Sequence, residues 1–273
     1  METKTKNHRL PTLYIPHGGG PCFFMQWTMG PADTWDNMKN WLGQLRQPIA
    51  PEPKAIIVIS AHWETDEVTI NSGIRPPLLF DYFGFPEHTY QLKYPAPGSP
   101  ALAEKIQTLF SAAGINSRMD SEHGYDHGVF IPLLLLYPDA NIPIVQISLY
   151  ASLDPASHIK MGRALEPLRS EGVLIIGSGM SYHNIGKLMR QHGEIPESDQ
   201  FDAWLRKSCA LPATDRDEQL RQWSNAPAAR DAHPREEHLL PLMVIAGAAG
   251  EDQGIRVFSD RVMGATVSAY QFG

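Results

Sequence analysis

Hydrophobic and polar positions follow each other in blocks that predict strands alternating with helices. Short apolar, β-branched runs are typical of strands covered on both faces. Such runs lie at residues 13–15, 55–60, 143–149 and 173–176. Helical patterns lie at residues 35–47, 100–113, 157–170 and 199–223, and a further helix is predicted from Pro234 to residue 249. This alternation predicts an α/β fold with a sheet flanked by helices on both faces.

Composition narrows the class of protein. The chain has 273 residues, of which 42% are hydrophobic and 19% are charged, as in a globular protein. That length suits one large α/β domain. The net charge of -7 and the lack of a Lys/Arg cluster predict that neither nucleic acid nor an anionic membrane is a partner.

Three further features of the sequence bear on where in the cell the protein is located. The longest apolar run, residues 239–250, falls short of the roughly 20 residues that span a bilayer. The first six residues have no apolar core behind them and predict no signal peptide. The two cysteines make a disulfide framework implausible, so we expect a cytoplasmic protein with free thiols.

Four of the eleven histidines occupy positions that suggest a metal centre. His17 and His62 each come directly after a predicted strand, and His183 follows a third strand through a glycine-rich turn. His238 lies in the first turns of the helix predicted from Pro234. Ligands of α/β sheets bind outside the carboxyl ends of the strands. Because none of these spacings is a compact motif such as HExxH, structural roles stay open for each residue.

Five motifs together resemble the class III extradiol ring-cleaving dioxygenases. They are PHGGGP (16–21), SAHW (60–63), DHG (126–128), GSGMSYHN (177–184) and EHLLP (237–241). Residues 82–86 and 91–98 narrow the resemblance to the DOPA 4,5-dioxygenase-like branch. It implies one catalytic domain over residues 1–273, with a central mixed, largely parallel β-sheet, helices on both faces and a metal at one edge of the sheet.

The resemblance also implies a ligand set. The residues that match His17, His62 and His238 bind the metal, and those that match His183 and His127 lie beside it. The wider superfamily has a carboxylate as its third ligand, as do many non-haem Fe(II) oxygenases, whereas this chain has His238. Three histidines and a water also form a catalytic zinc site. We therefore expect Fe(II) for activity and Zn(II) as an ion that can occupy the same site.

The implied reaction is cleavage of a DOPA-like catechol by O2, beside its two hydroxyls. A base must take a catechol proton and an acid must return one, and histidine suits both roles near neutral pH. His183 is the first candidate and His127 the second. His183 is equally a candidate for a fourth metal ligand.

A long Pro-, Gly- and aromatic-rich segment, residues 76–98, is the candidate substrate-binding loop, since such loops are often functional. Tyr82, Phe85 and Tyr94 are candidates for an aromatic wall, and Lys93 for an ion pair with a substrate carboxylate. The alternative is that these aromatic residues only pack the loop onto the core.

Two other functions remain open at this point. A zinc-dependent hydrolase would use the same site to activate a water molecule. A non-catalytic relative would keep the site only to bind a metal or a ligand. His127 and His183 count against a non-catalytic relative, because a protein that only binds a ligand needs no proton relay.

Overall fold

The computed structural model describes residues 9–190 and 193–273. The strands are β1 (Thr12–Pro16), β2 (Ala55–Thr65), β3 (Val68–Asn71), β4 (Ser117–Asp120), β5 (Ile144–Tyr150), β6 (Val173–Gly179), β7 (Gly254–Val262) and β8 (Ala265–Phe272). The helices are α1 (Asp36–Gln44), α2 (Pro100–Ala112), α3 (His127–Leu136), α4 (Pro155–Leu165), α5 (Ile185–Arg190), α6 (Pro196–Cys209), α7 (Ala213–Arg221), α8 (Ala229–Ala232) and α9 (Leu240–Ala249).

All eight strands form one sheet, in the order β4-β3-β5-β2-β6-β1-β8-β7. The central strands β5, β2, β6 and β1 run parallel to one another. β3 is antiparallel to β5, and β8 is antiparallel to both of its neighbours. The predicted mixed, largely parallel sheet is therefore confirmed. Its central strands are the apolar runs of the sequence, because both of their faces are covered.

Strand β6 shows how the two faces are covered. Successive side chains of a strand point to opposite faces. A Cβ on Gly177 would lie 2.7 Å from the carbonyl oxygen of Pro241 in α9, whereas the Ser178 hydroxyl bonds the carbonyl of Gly128 in α3. Helices α9 and α3 therefore pack on opposite faces, as predicted, and α9 approaches closely because residue 177 has no side chain.

Three predicted boundaries were wrong. β2 continues past Ser60 to Thr65, through a break in its pairing with β5 between Ile59 and Glu64. The single helix predicted at residues 199–223 is two helices, α6 and α7, separated by residues 210–212. The last helix begins at Leu240 rather than Pro234, because residues 237–239 form a turn. The second difference follows from Pro212, which caps α7, and the third from Pro241, because proline lacks an amide donor and fits only the first turn of a helix.

Within the described ranges, no helix is long and apolar enough to cross a membrane. Residues 1–8, where the sequence predicts no signal peptide, lie outside these ranges.

Candidate metal centre

Three histidines converge at the carboxyl edge of the parallel strands. His17 follows β1, His62 lies in the break of β2, and His238 lies in the turn before α9. One ring nitrogen from each falls within 4.8 Å of the others, and the Nε2 atoms of His17 and His62 are 3.1 Å apart. Bonds of about 2.0–2.1 Å to a tetrahedral ion place ligand atoms about 3.4 Å apart. The spacing therefore fits one shared metal ion.

The glycine loop after β1 brings the chain around closely enough to present His17. Gly18 has a φ of +83°, and a Cβ there would lie 2.5 Å from the Cys22 sulfur. Gly20 has a φ of +57°, and its Cβ would lie 2.9 Å from the Phe85 ring. Both positions need glycine, since side chains are disfavoured by the backbone angle and by the space. The loop thereby packs the segment that carries Phe85 over the site.

Ser178 orients the ring of His17. Its hydroxyl proton is donated to the carbonyl of Gly128, which can only accept. The hydroxyl oxygen, 3.0 Å from His17 Nδ1, therefore accepts from that nitrogen. The proton of neutral His17 is on Nδ1, so Nε2 presents a lone pair toward His62. This is the usual way in which a neighbouring group fixes the tautomer of a metal-binding histidine.

Glu237 orients two histidines at once. Its Oε1 atom lies 2.9 Å from Nδ1 of His238 and 3.1 Å from Nδ1 of His183. A carboxylate only accepts, so both Nδ1 atoms donate and both Nε2 atoms are left unprotonated. The two rings stack, with centroids 3.3 Å apart and planes 17° apart. The backbone is fixed as well, because the Tyr14 hydroxyl donates to the carbonyl of His238 at 2.7 Å.

His127 stands on the other side of the group, at the start of α3. Both its backbone N–H and its Nδ1 donate to Oδ1 of Asp81, at 2.9 and 2.8 Å. The ring centroids of His127 and His62 are 3.9 Å apart. The second carboxylate oxygen of Asp81 lies 3.6 Å from Nδ1 of His62. Asp81 therefore holds His127 beside the three convergent histidines with Nε2 free.

Burial keeps the convergent histidines neutral. Desolvation lowers the pKa of His17, His62 and His238, and neighbouring histidines lower each pKa further. At Glu237 burial raises the pKa, but the bond from His183 and the charge of Arg235 outweigh it and hold the pKa below its usual value. At neutral pH the site thus presents unprotonated imidazoles, which is the form that binds metals.

Below the histidines, a buried carboxylate supports the break in β2. Asp126 accepts a 2.6 Å bond from the Ser60 hydroxyl, and Ser60 accepts a 3.2 Å bond from the backbone of His62. Burial, and next the charge of Asp81, raise the pKa of Asp126 to about 6. This chain of bonds fixes the backbone that presents His62.

A cavity of about 270 Å³ opens above the five histidines. Its other walls come from the glycine loop, from Trp27, Trp35, Phe85 and Tyr182, and from a methionine-rich rim. Of the four residues predicted to bind the substrate, Phe85 lines the cavity. Tyr82, Lys93 and Tyr94 are not among its lining residues.

The two tyrosines are buried elsewhere and Lys93 is exposed. The Tyr82 hydroxyl donates to the carbonyl of Thr89 at 2.7 Å, and that of Tyr94 to the carbonyl of Tyr137 at 3.1 Å. For Tyr94, packing the loop onto the core is what the structure shows. Tyr82 packs against His127, with ring centroids 5.9 Å apart, and so supports the site from behind.

The sequence of this chain also matches a known protein family. Residues 11–272 match the family described as the catalytic LigB subunit of aromatic ring-opening dioxygenase. The chain belongs to this family. The match confirms the predicted resemblance, and the description of the family is that of a ring-opening dioxygenase rather than a hydrolase.

Individual relatives of this dioxygenase cover nearly its whole length. The 4,5-DOPA dioxygenase extradiol of Beta vulgaris is 40% identical over 266 residues, which are 96% of each chain. Dioxygenase tasH of Hapsidospora irregularis is 38% identical over 277 residues, covering 96% of this chain and 85% of the relative. A crystal structure of the uncharacterized protein JW3007 from Escherichia coli K12 superposes with a TM-score of 0.78, at 30% identity over 97% of this chain and 100% of the other.

Sequence reasoning missed the groups of this dioxygenase that orient its histidines. Glu237 is adjacent to His238 in the sequence, and that adjacency was the available signal. Asp81 and Ser178 gave none, since each meets its histidine only through the fold: Asp81 is 46 residues from His127, and Ser178 is 161 residues from His17.

Proposed function

We propose that this dioxygenase opens the ring of a catechol beside its two hydroxyls, using Fe(II) held by His17, His62 and His238. The observation that carries the proposal is the convergence of three neutral imidazoles, those of His17 and His238 oriented by hydrogen bonds, on one point. When bound there, Fe(II) supplies chelation of the catechol oxygens and the redox activity that O2 requires, which Zn(II) lacks. Zn(II) is proposed as a competing occupant.

His183 is the proposed acid and base of the reaction. Its Nδ1 donates to Glu237, so its Nε2 is free to take a proton from a catechol hydroxyl. The Glu237 carboxylate, 3.1 Å from Nδ1, holds the ring in the orientation that this proton transfer needs. His127 has the same arrangement with Asp81 and is the second candidate. As His183 stacks on His238, the role of a fourth ligand in the substrate-free enzyme stays an alternative.

The relatives suggest where to look for the substrate. Several are named 4,5-DOPA dioxygenases, so a DOPA-like catechol is the first compound to test. We also propose that residues 1–273 act as one catalytic domain, supported by one sheet that includes strands from residue 12 to residue 272. A cytoplasmic location is proposed on the two cysteines, Cys22 and Cys209, which are buried, free thiols.

The test is reconstitution without air, followed by oxygen uptake. The protein is loaded with Fe(II), mixed with catechols, and exposed to O2 while uptake and the yellow ring-opened product are followed. We expect stoichiometric uptake with Fe(II), and none with Zn(II) or with His17→Ala. Uptake as fast with zinc as with iron would contradict the proposal, and so would the absence of uptake with every catechol.

A further inference from the structure

The cavity above the histidines has no charged wall. Among the described residues that line it there is no Lys, Arg, Asp or Glu. The carboxylates of Asp81 and Glu237 lie behind the histidines and already accept bonds from them. Lys93, the residue predicted to meet a substrate carboxylate, does not line the cavity. A charged group on the ring of a bound catechol would therefore find no opposite charge there.

Polar atoms of the walls that lack a partner are all neutral. The indole N–H groups of Trp27 and Trp35 and the hydroxyl of Tyr182 are buried without a hydrogen-bond partner among the described residues. All three residues line the cavity. An indole N–H only donates, so it cannot receive the protons of an ammonium group. None of the three groups adds a charge to the walls, and the two indoles offer no acceptor to an ammonium group.

The mouth of the cavity is apolar as well. Met29, Ile185 and Met189 line the cavity, and they are 44%, 54% and 51% exposed. Exposed large apolar side chains grouped at one place mark a binding surface for apolar groups. Methionine adapts its shape to different ligands. A substituent that reaches out of the cavity thus meets apolar side chains first.

Charged groups lie beyond this rim, in a neighbouring groove that shares Met29, Met189 and Met263 with the cavity. Its arginine, Arg261, is already paired with Asp199 at 3.1 Å. The groove also has the carboxylates of Asp33 and Asp260, which repel an anion. The groove therefore supplies no ready partner for a carboxylate on a short substituent.

We propose that the substrate of this enzyme is a catechol whose ring substituent is uncharged, rather than a catechol amino acid. This inference rests on the proposed ring-opening function, but it departs from the DOPA-like substrate that the names of the relatives suggest. Burying an unpaired charge costs several kcal/mol in an apolar site. A preference of at least about tenfold for uncharged substituents follows, since tenfold corresponds to only about 1.4 kcal/mol.

A series of catechols with three-carbon or similar side chains at one ring position tests this preference. 4-Propylcatechol and methyl 3-(3,4-dihydroxyphenyl)propanoate are uncharged, the free propanoate is an anion, dopamine is a cation and DOPA is a zwitterion. Dissociation constants are measured with the Zn(II) protein, and kcat/KM by oxygen uptake with the Fe(II) protein. We expect both uncharged compounds to bind at least about tenfold more tightly than the others and to have the higher kcat/KM.

A variant of the rim makes the test sharper. Met189→Lys places a cation at the mouth, where the exposed position tolerates it, and should shift the preference toward the propanoate by about tenfold or more. Ile74→Lys is the matched control, because Ile74 is 72% exposed and does not line the cavity. It should leave the ranking unchanged.

The outcomes separate the two proposals. DOPA that binds as tightly as 4-propylcatechol would overturn the inference and leave the ring-opening function standing. No oxygen uptake with any member would overturn the proposed function, while the zinc dissociation constants would still decide the preference. If Met189→Lys and Ile74→Lys shifted the preference toward the propanoate equally, the inference would also be contradicted, since the effect would then come from the net charge of the protein and not from the mouth of the cavity.

Discussion

Replacing Glu237 by Gln should weaken metal binding more than its position outside the three convergent histidines suggests. Its Oε1 accepts bonds from both His238 and His183, at 2.9 and 3.1 Å. Glutamine keeps the shape and one acceptor oxygen, but it removes the negative charge. Hydrogen bonds to a charged acceptor are roughly twice as strong as neutral ones. Two such bonds are weakened by a single substitution.

The expected magnitude follows from these two bonds. Changes in the partners of metal-binding histidines typically cost about 10–100-fold in metal affinity or activity. Because Glu237 serves two histidines, we expect a loss near the upper end, about 100-fold, or about 2.7 kcal/mol. The new amide also faces Arg235 Nη1, which lies 3.4 Å from the other carboxylate oxygen. Two donors would then face each other, which favours the larger loss.

The assay is competition for Zn(II) against a chromophoric chelator, followed by kcat/KM of the Fe(II) enzyme. Glu236→Gln is the matched control, since it removes the adjacent carboxylate, which pairs with Arg230 at 2.6 Å and not with a histidine. The control should retain its zinc affinity within a few-fold. Equal zinc affinities for Glu237→Gln and the unchanged protein would refute the reasoning, as would equal losses in the two variants.

Two further predictions concern other histidines. His183→Gln should keep zinc affinity within a few-fold and lower turnover by about 10²–10⁴-fold, the range of general acid–base catalysis; a marked loss of zinc affinity would instead identify a ligand. His158→Gln should lessen acid destabilisation. The buried ring of His158 donates to the Asp154 carbonyl and accepts from Tyr150 N–H, and burial lowers its pKa to about 4. A lowered histidine pKa makes the unfolded chain bind more protons below pH 6.5, so stability falls as the pH falls. Between pH 7.5 and pH 5, His158 should lower the free energy of unfolding by about 2 kcal/mol. Urea unfolding of the metal-free variant should lack this contribution, and an unchanged pH dependence of its stability would contradict the prediction.

Sequence reasoning located the strands and the convergent histidines because their signals are local. Pro16 and the glycines mark the end of β1, and the apolar runs mark strands covered on both faces. The meeting of His17, His62 and His238 was predicted from strand ends and motifs, and the geometry of the three agrees with it. The number of residues between two histidines does not say how far apart they lie in the fold. The 3.1 Å approach of His17 and His62 comes from the parallel pairing of β1, β6 and β2.

The substrate side of the site was harder to predict, for a physical reason. A loop rich in aromatic residues is recognisable from composition, but composition does not say which rings face inward. Phe85 faces the cavity because Gly20 leaves room for its ring, whereas the Tyr94 hydroxyl finds a buried carbonyl at Tyr137. The same limit applies to Glu236 and Glu237. Their order along the chain is visible, but the turn before α9 decides which one meets His238.

The carboxylates of the site show how a third histidine is compatible with iron chemistry. Many non-haem Fe(II) oxygenases have two histidines and one carboxylate as ligands, so one negative charge touches the metal. Here the proposed third ligand is His238, and the negative charge lies one residue back, on Glu237, which bonds that histidine directly. Asp81 lies likewise behind His62 and His127. The site thus keeps negative charge near the metal, which favours a cation, while every surface that faces the cavity is neutral. Under the two proposals made above, that separation lets one site bind a divalent ion and an uncharged ring substituent side by side.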